Sequence, residues 1–188
     1  MERFFSQEIA PLPAATLIAV ALICTVTDLW KGKIYNIITY TAMVLGLVIG
    51  VWQHGFAGFT QAAGGFAIGF FPAFLLFALG GMGGGDVKLL GAIGALAGPV
   101  PTTQIMVVAF LVGGFFALVK LAWKGVFWLT IWRTLRYLAG LIIPGVKRTS
   151  LTGEKPIEVR FGLAICVAVL VVLFSLHMGG IDALWRSA

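Results

Sequence analysis

Residues 80–98 read GGMGGGDVKLLGAIGALAG, and this stretch decides how the rest of the chain must fold. It opens with five glycines in six residues, continues with Asp86 and Lys88, and then contains no charged residue. A Pro-Val-Pro sequence follows at 99–101, where a helix has to break because proline lacks the N–H and restricts the residue before it. The pattern therefore predicts a short apolar helix with a carboxylate at its start.

The composition outside this stretch is that of a membrane protein. Of the 188 residues, 60% are hydrophobic and 11% are charged, whereas a soluble domain carries roughly 25% charged residues. The mean hydropathy is +1.04, which also excludes a disordered chain, because disorder requires low hydrophobicity. Four stretches contain no charge at all: 9–27, 34–85, 89–119 and 161–181.

The lengths of these stretches predict the number of membrane crossings. A helix needs about 20 apolar residues to cross the hydrocarbon core, so the first and last stretches each fit one span and the two longer ones must fold back. The breaks are expected at 53–55 and 98–101. We predict an all-α polytopic membrane protein, a single domain over 1–188, with six transmembrane helices near 9–27, 34–52, 60–79, 86–98, 102–122 and 161–178.

A further helix is predicted at 125–143, on the membrane surface. Apolar residues recur there at helical spacing and polar residues occupy the opposite face, which is typical of an interfacial amphipathic helix. The alternative is a seventh span, which would require Arg133 and Arg136 to be buried and would invert the last span.

The distribution of lysine and arginine predicts the orientation. Eleven of the 13 cations fall on one side of the predicted spans, and the positive-inside rule makes that side cytoplasmic and places both termini outside. They are Lys31, Lys33, Lys88, Lys120, Lys124, Arg133, Arg136, Lys147, Arg148, Lys155 and Arg160. This rule accounts for the net charge of +6, so nucleic acid is not an expected partner.

Two of the seven acidic residues are predicted at one depth on the cytoplasmic side. Asp28 ends the first span and Asp86 opens the fourth, which at about 18 Å is too short for the roughly 30 Å core. The glycine run before Asp86 is then irregular backbone at membrane depth, which is tolerated only in protein or beside a wet cavity. Each acid alone also fits a simpler role, Asp28 as a residue at a helix end and Asp86 as an N-cap.

A pair of carboxylates has a specific chemical use. Two carboxylates held close together share one proton, so that one activates water and the other donates to a carbonyl oxygen, as in aspartic proteases. No metal or cofactor is needed. The two cysteines, Cys24 and Cys166, exclude a disulfide scaffold and a four-cysteine zinc site.

Three segments together resemble the type IV prepilin peptidases, membrane aspartic proteases of the GxGD type. Residues 83–86 read GGGD and continue as VKLLGAIG, which resembles the second aspartate motif of that family. Residues 28–36, DLWKGKIYN, resemble the first motif, in which a spacer and Ile-Pro-Asn follow the aspartate. Residues 156–165, PIEVRFGLAI, are similar to the Pro-x-Gly-x-Ala segment that enters the last span.

The resemblance implies an activity and roles for six residues. The family removes the basic leader of prepilins and pseudopilins at the cytoplasmic face of the bacterial inner membrane. Its catalytic pair corresponds to Asp28 and Asp86, and the loop glycines to Gly83 and Gly85. Possible supporting residues are Lys88, which is equally well explained as a positive-inside cation, and Asn36, which is expected to cap the second span.

The chain departs from the family pattern in two places. Tyr35 stands where the family usually has proline, which puts the turn into the second span in doubt. The Cys-x-x-Cys pairs of the methyltransferase region in larger members are not found, so N-methylation is not expected. The compact form is similar to the peptidases of tight-adherence (Flp) pili. The bilayer and the prepilin substrate are the expected partners, and the basic 120–160 segment is a candidate docking surface for pilus-assembly proteins.

Two other functions remain open on the sequence. The first is a GxGD protease that cuts other transmembrane helices. The second is a non-enzymatic role, as a proton-coupled carrier or an assembly scaffold, in which the two aspartates serve as relay or pairing groups.

Overall fold

The computed structural model describes residues 9–123 and 161–177, and all regular structure in these ranges is helical. The five helices are α1 (Pro11–Lys31), α2 (Asn36–Ala78), α3 (Gly84–Ala97), α4 (Pro99–Trp123) and α5 (Phe161–His177). The prediction of an all-α protein is confirmed. The predicted surface helix at 125–143 lies outside the described residues.

Three of the described helices are long and apolar enough to cross a membrane: α1, α2 and residues 99–120 of α4. In an apolar 18-residue stretch of each of these helices, only 33%, 22% and 28% of the residues, respectively, are buried within the protein. Apolar surface that the fold leaves uncovered on this scale needs lipid around it, so these helices indicate a membrane protein. The count of six spans stays a prediction.

Helix α2 is a hairpin of two arms, which we call the first arm (36–54) and the second arm (56–78). Gly55 joins them with φ 58° and ψ −136°, a conformation that glycine adopts without steric cost, and it lies within the predicted break at 53–55. The arms touch close to the bend, where a Cβ atom on Gly58 would overlap the carbonyl oxygen of Gly50. Each arm therefore forms a separate helix of ordinary length.

Helix α3 is the central helix of the described fold and packs against α1, α2 and α5. Nine of its 14 residues are buried, and the side chains of Leu89, Leu90 and Ile93 are fully buried. At about 21 Å, α3 is too short to cross the bilayer alone. The neighbouring helices therefore shield most of α3, from Leu89 to Leu96, from the surroundings.

Glycines bring both arms of α2 into backbone contact with α3. A Cβ atom on Gly46 of the first arm would lie 2.6 Å from the carbonyl carbon of Ala95. On the second arm, a Cβ on Gly65 would overlap the Gly94 carbonyl oxygen, and one on Gly69 would overlap that of Leu90. Small residues permit this close approach of helices. The second arm runs antiparallel to α3.

The chain forms two compact units, residues 1–112 with 160–188, and residues 113–159. Only 113–123, the end of α4, is described in the second unit, so the single domain over 1–188 stays a prediction.

We predict that Gly65→Ala destabilises the protein while Gly64→Ala does not. Both changes add one methyl group to the same helix, so the change in helix propensity cancels between them. The methyl at 65 would collide with α3, whereas the methyl at 64 would lie 3.4 Å from Pro99 Cγ, an ordinary contact. The expected difference in unfolding free energy is about 1–3 kcal/mol, measured by denaturant titration in detergent micelles. Equal stability of the two variants would contradict the backbone contact.

Candidate active site

Asp28 lies in the last turn of α1, where the helix ends at a glycine. Gly32 has the left-handed conformation, with φ 61°, and its N–H donates to the Asp28 carbonyl oxygen at 2.9 Å, which is a common helix ending. The Asp28 side chain is only 8% exposed, and its Oδ2 atom is shielded from solvent. The first predicted aspartate is therefore a buried group.

Asp86 lies in the first turn of α3. The N-cap of this helix is Gly83, so Asp86 occupies the third helical position, and the simpler reading of Asp86 as the N-cap is wrong. Its carboxylate lies beside the Gly83 backbone, where an acidic residue interacts favourably with the free N–H groups of the helix start. A Cβ atom on Gly83 would lie 3.0 Å from Asp86 Oδ2, so a side chain there would crowd the carboxylate.

The fold brings these two carboxylates together although they are 58 residues apart. Helix α1 packs against α3, and the two side chains are near enough for their charges to interact. Their surroundings differ, because Asp28 lies at the negative end of one helix dipole and Asp86 at the positive end of another. The arrangement is a pair of neighbouring, non-equivalent carboxylates.

Gly85 lets the connection between α1 and α2 approach the start of α3. A Cβ atom on Gly85 would lie 3.0 Å from Ile34 Cβ, which is tighter than most side-chain contacts. Ile34 in turn packs against the buried core. A larger residue at 85 would push the α1–α2 connection away from the two carboxylates.

Lys88 and Asn36 contact each other rather than the carboxylate pair. Lys88 Nζ donates to Asn36 Oδ1 at 2.9 Å and lies 5.2 Å from the ring centroid of Tyr40. Two residues correspond to about 200° around a helix, so Lys88 lies on the side of α3 opposite Asp86. The contact fastens the start of α3 to the start of α2.

The expected capping role of Asn36 is wrong. The N-cap of α2 is Tyr35, and no side chain caps that helix. Tyr35 has φ −76° and ψ 126°, and this φ lies within the range that proline imposes. At Tyr35, where the family usually has proline, the backbone therefore has a proline-like conformation.

One residue of the site was not singled out from the sequence. Gly162, the second residue of α5, lies directly against Asp28, and a Cβ atom on it would be 2.8 Å from Asp28 Oδ2. The signal was present, because Gly162 is the glycine of the 156–165 segment that resembles the Pro-x-Gly-x-Ala motif.

A metal centre finds no support in the part of the chain that the structure describes. No group of three or more His, Cys, Asp or Glu side chains within 9–123 and 161–177 is placed to hold a metal ion. Cys24 and Cys166 are free and buried. The chemistry available to the described site is that of the two carboxylates.

Comparison with known families agrees with the geometry. The model of the type IV leader peptidase family matches residues 15–118, which is more than half of the chain and includes both aspartates. The chain belongs to the type IV leader peptidase family. Membership of this peptidase family indicates a protease. Searches of curated proteins and of solved structures find no significant match.

We predict that Lys88 and Asn36 are energetically coupled in this leader peptidase. Lys88→Met and Asn36→Leu each remove one partner of the 2.9 Å hydrogen bond, and the double variant removes both. In a double-mutant cycle on unfolding free energy, the coupling should be about 1 kcal/mol, the usual net value of a hydrogen bond. Strictly additive effects would mean that this contact does not hold α3 to α2.

Proposed function

We propose that the protein is an aspartic endopeptidase that removes the basic leader peptide of type IV prepilins or pseudopilins. Asp28 and Asp86 are its catalytic residues, Gly83 and Gly85 shape the start of α3 around Asp86, and no metal or cofactor takes part. The observation that carries the proposal is that two carboxylates, one of them 8% exposed, lie near enough for their charges to interact at the start of the buried helix α3. Membership of the leader peptidase family supports the same reaction class.

Each carboxylate has a defined part in the proposed reaction. The ionised member of the pair takes a proton from water as the water oxygen attacks the scissile carbonyl carbon, while the protonated member donates its proton to the carbonyl oxygen. When the tetrahedral intermediate collapses, the C–N bond breaks, the hydroxyl proton returns to the carboxylate that had donated one, and the leaving amine takes the proton that the other carboxylate had accepted from water. Water is consumed and the pair returns to its starting protonation.

The proposed location is the cytoplasmic face of the bacterial inner membrane. Lys31 and Lys33 are exposed and directly follow Asp28 along the chain, and Lys88 follows Asp86. The end of the protein that holds the carboxylates is therefore also rich in cations, which the positive-inside rule assigns to the cytoplasm. A topology of six spans, with both termini outside and each arm of α2 counted as one span, places the pair where a basic leader would arrive.

We predict that Asp28→Asn and Asp86→Asn each abolish leader cleavage. Asparagine preserves size and polarity but cannot share a proton, so the loss should be at least about 10²-fold, the contribution typical of acid–base catalysis. Prepilins from the same genome would be co-expressed with each variant in membranes, and leader removal followed by mass. Asp182→Asn, an acid outside the predicted pair, serves as the matched control and should cleave normally.

The same assay separates the proposal from its alternatives. If the wild type leaves every prepilin intact but cuts other transmembrane helices in an aspartate-dependent manner, the substrate class is wrong and the reaction class stands. If both asparagine variants insert normally and cleave as fast as the wild type, the pair is not catalytic. Proton-coupled flux in proteoliposomes without cleavage would then favour a carrier.

A further inference from the structure

We infer that Gly162 is a positioning residue for Asp28, through which the backbone of α5 holds one carboxylate of the pair in place. The consequence for catalysis rests on the proposed function. The position of Gly162 against Asp28 rests only on the contacts between these two residues. A Cβ atom on Gly162 would lie 2.8 Å from Asp28 Oδ2, 3.2 Å from its Cβ and 3.3 Å from its Cγ. The bare backbone of α5 therefore covers one side of the carboxylate.

The backbone at Gly162 is held in this position from both sides. Thr25, one turn before Asp28 on α1, shares its single hydroxyl proton between the Ala21 carbonyl oxygen at 2.7 Å and the Gly162 carbonyl oxygen at 3.1 Å. The ring of Phe161 contacts that of Phe110 on α4, with centroids 5.7 Å apart. The start of α5 is thus tied to α1 and α4 beside the carboxylate.

These contacts explain how Asp28 is kept buried and oriented. Gly162 is itself buried, and so is Thr25 at 8% exposure, so water is excluded on the α5 side of Asp28. Asp86 lies on α3, the neighbour of α1 on another side. Because a side chain at 162 cannot fit without moving Asp28, every residue other than glycine should displace the carboxylate. A displacement of 1 Å in a catalytic group can cost about 10²-fold in rate.

The test compares Gly162→Ala with Gly64→Ala. Both variants convert a helical glycine to alanine, but the methyl at 64 meets only Pro99 Cγ, at 3.4 Å. Thermal melting first establishes that the purified variants are as stable as the wild type. Gly162→Ala should then lose about 10²-fold in kcat for prepilin cleavage, with KM within a few-fold of the wild type, and Gly64→Ala should match the wild type. A wild-type kcat in Gly162→Ala would overturn the inference while leaving the proposed function intact.

A second measurement does not depend on the substrate. A water-soluble carbodiimide with an amine nucleophile modifies carboxyl groups that solvent can reach, and the modified fraction of Asp28 can be read by peptide mass spectrometry, with Asp28→Asn as the blank. Modification of Asp28 should be several-fold faster in Gly162→Ala than in the wild type or Gly64→Ala, because the displaced carboxylate loses its cover. Equal rates would overturn the inference. Faster modification in a protein that cleaves no prepilin would support the positioning role and count against the proposed function.

Variants of Thr25 provide a check that avoids any steric change at 162. Thr25→Val has nearly the same shape but removes the hydroxyl that binds the Gly162 carbonyl, whereas Thr25→Ser retains it. We expect a several-fold fall in kcat for Thr25→Val and recovery to near the wild-type value for Thr25→Ser. Loss of activity in both variants alike would mean that the hydrogen bond to α5 has no part in positioning Asp28.

Discussion

The rest of the structure depends on direct backbone contacts between α3 and the two arms of α2, which glycine residues make possible. A 14-residue helix is too short to reach across the hydrocarbon core by itself, and its ends cannot lie uncovered in lipid, because unsatisfied backbone groups are costly there. The two arms of α2 solve this problem by approaching α3 at glycines, where helix axes can come closer than side chains would allow. The hairpin bend at Gly55 is what places both arms on the same short helix.

Burial of α3 determines where the carboxylates can lie. The first turn of a buried helix has free N–H groups, and the carboxylate of Asp86 lies beside one of them, on Gly83. Asp28 comes from the opposite kind of helix end, the last turn of α1. Helix ends are the points at which a polar group, a glycine-rich connection and access to water coincide, so a hydrolytic pair is built there more easily than in mid-helix.

The sequence predicted those parts of the fold that depend on local composition. Charge-free stretches predicted apolar helices, and the polar break at 53–55 includes the residue at which α2 bends. The two aspartates were found because an acid is conspicuous in such a chain. Side-chain partners were not predictable in this way. Asn36 was expected to cap its own helix, but it accepts a hydrogen bond from Lys88, 52 residues away, since three-dimensional packing rather than local spacing decides that contact.

Gly162 illustrates why some functional residues escape sequence reasoning. A glycine carries no chemistry of its own, and in a chain with 25 glycines one more is readily explained by helix packing. Its importance comes from what a side chain would displace, and that depends on the identity of the neighbouring atom. At Gly65 the neighbour is a backbone carbonyl, so the consequence is for stability. At Gly162 the neighbour is the carboxylate of Asp28, so the same kind of contact bears on the position of a proposed catalytic group.

The depth of the Asp28 carboxylate below the protein surface can be judged from its distance along α1 to the exposed Lys31. Lys31 is exposed and lies three residues beyond Asp28, which is about 4.5 Å along the helix axis. One helical turn therefore separates a side chain in contact with water or headgroups from a carboxylate that is 8% exposed. A carboxylate shielded to this extent interacts more strongly with a neighbouring carboxylate than one in water does, and its nearness to an exposed lysine keeps it close to the water that the proposed hydrolysis consumes. A deeper pair would lack that water, and a shallower one would lack the coupling on which shared-proton chemistry depends.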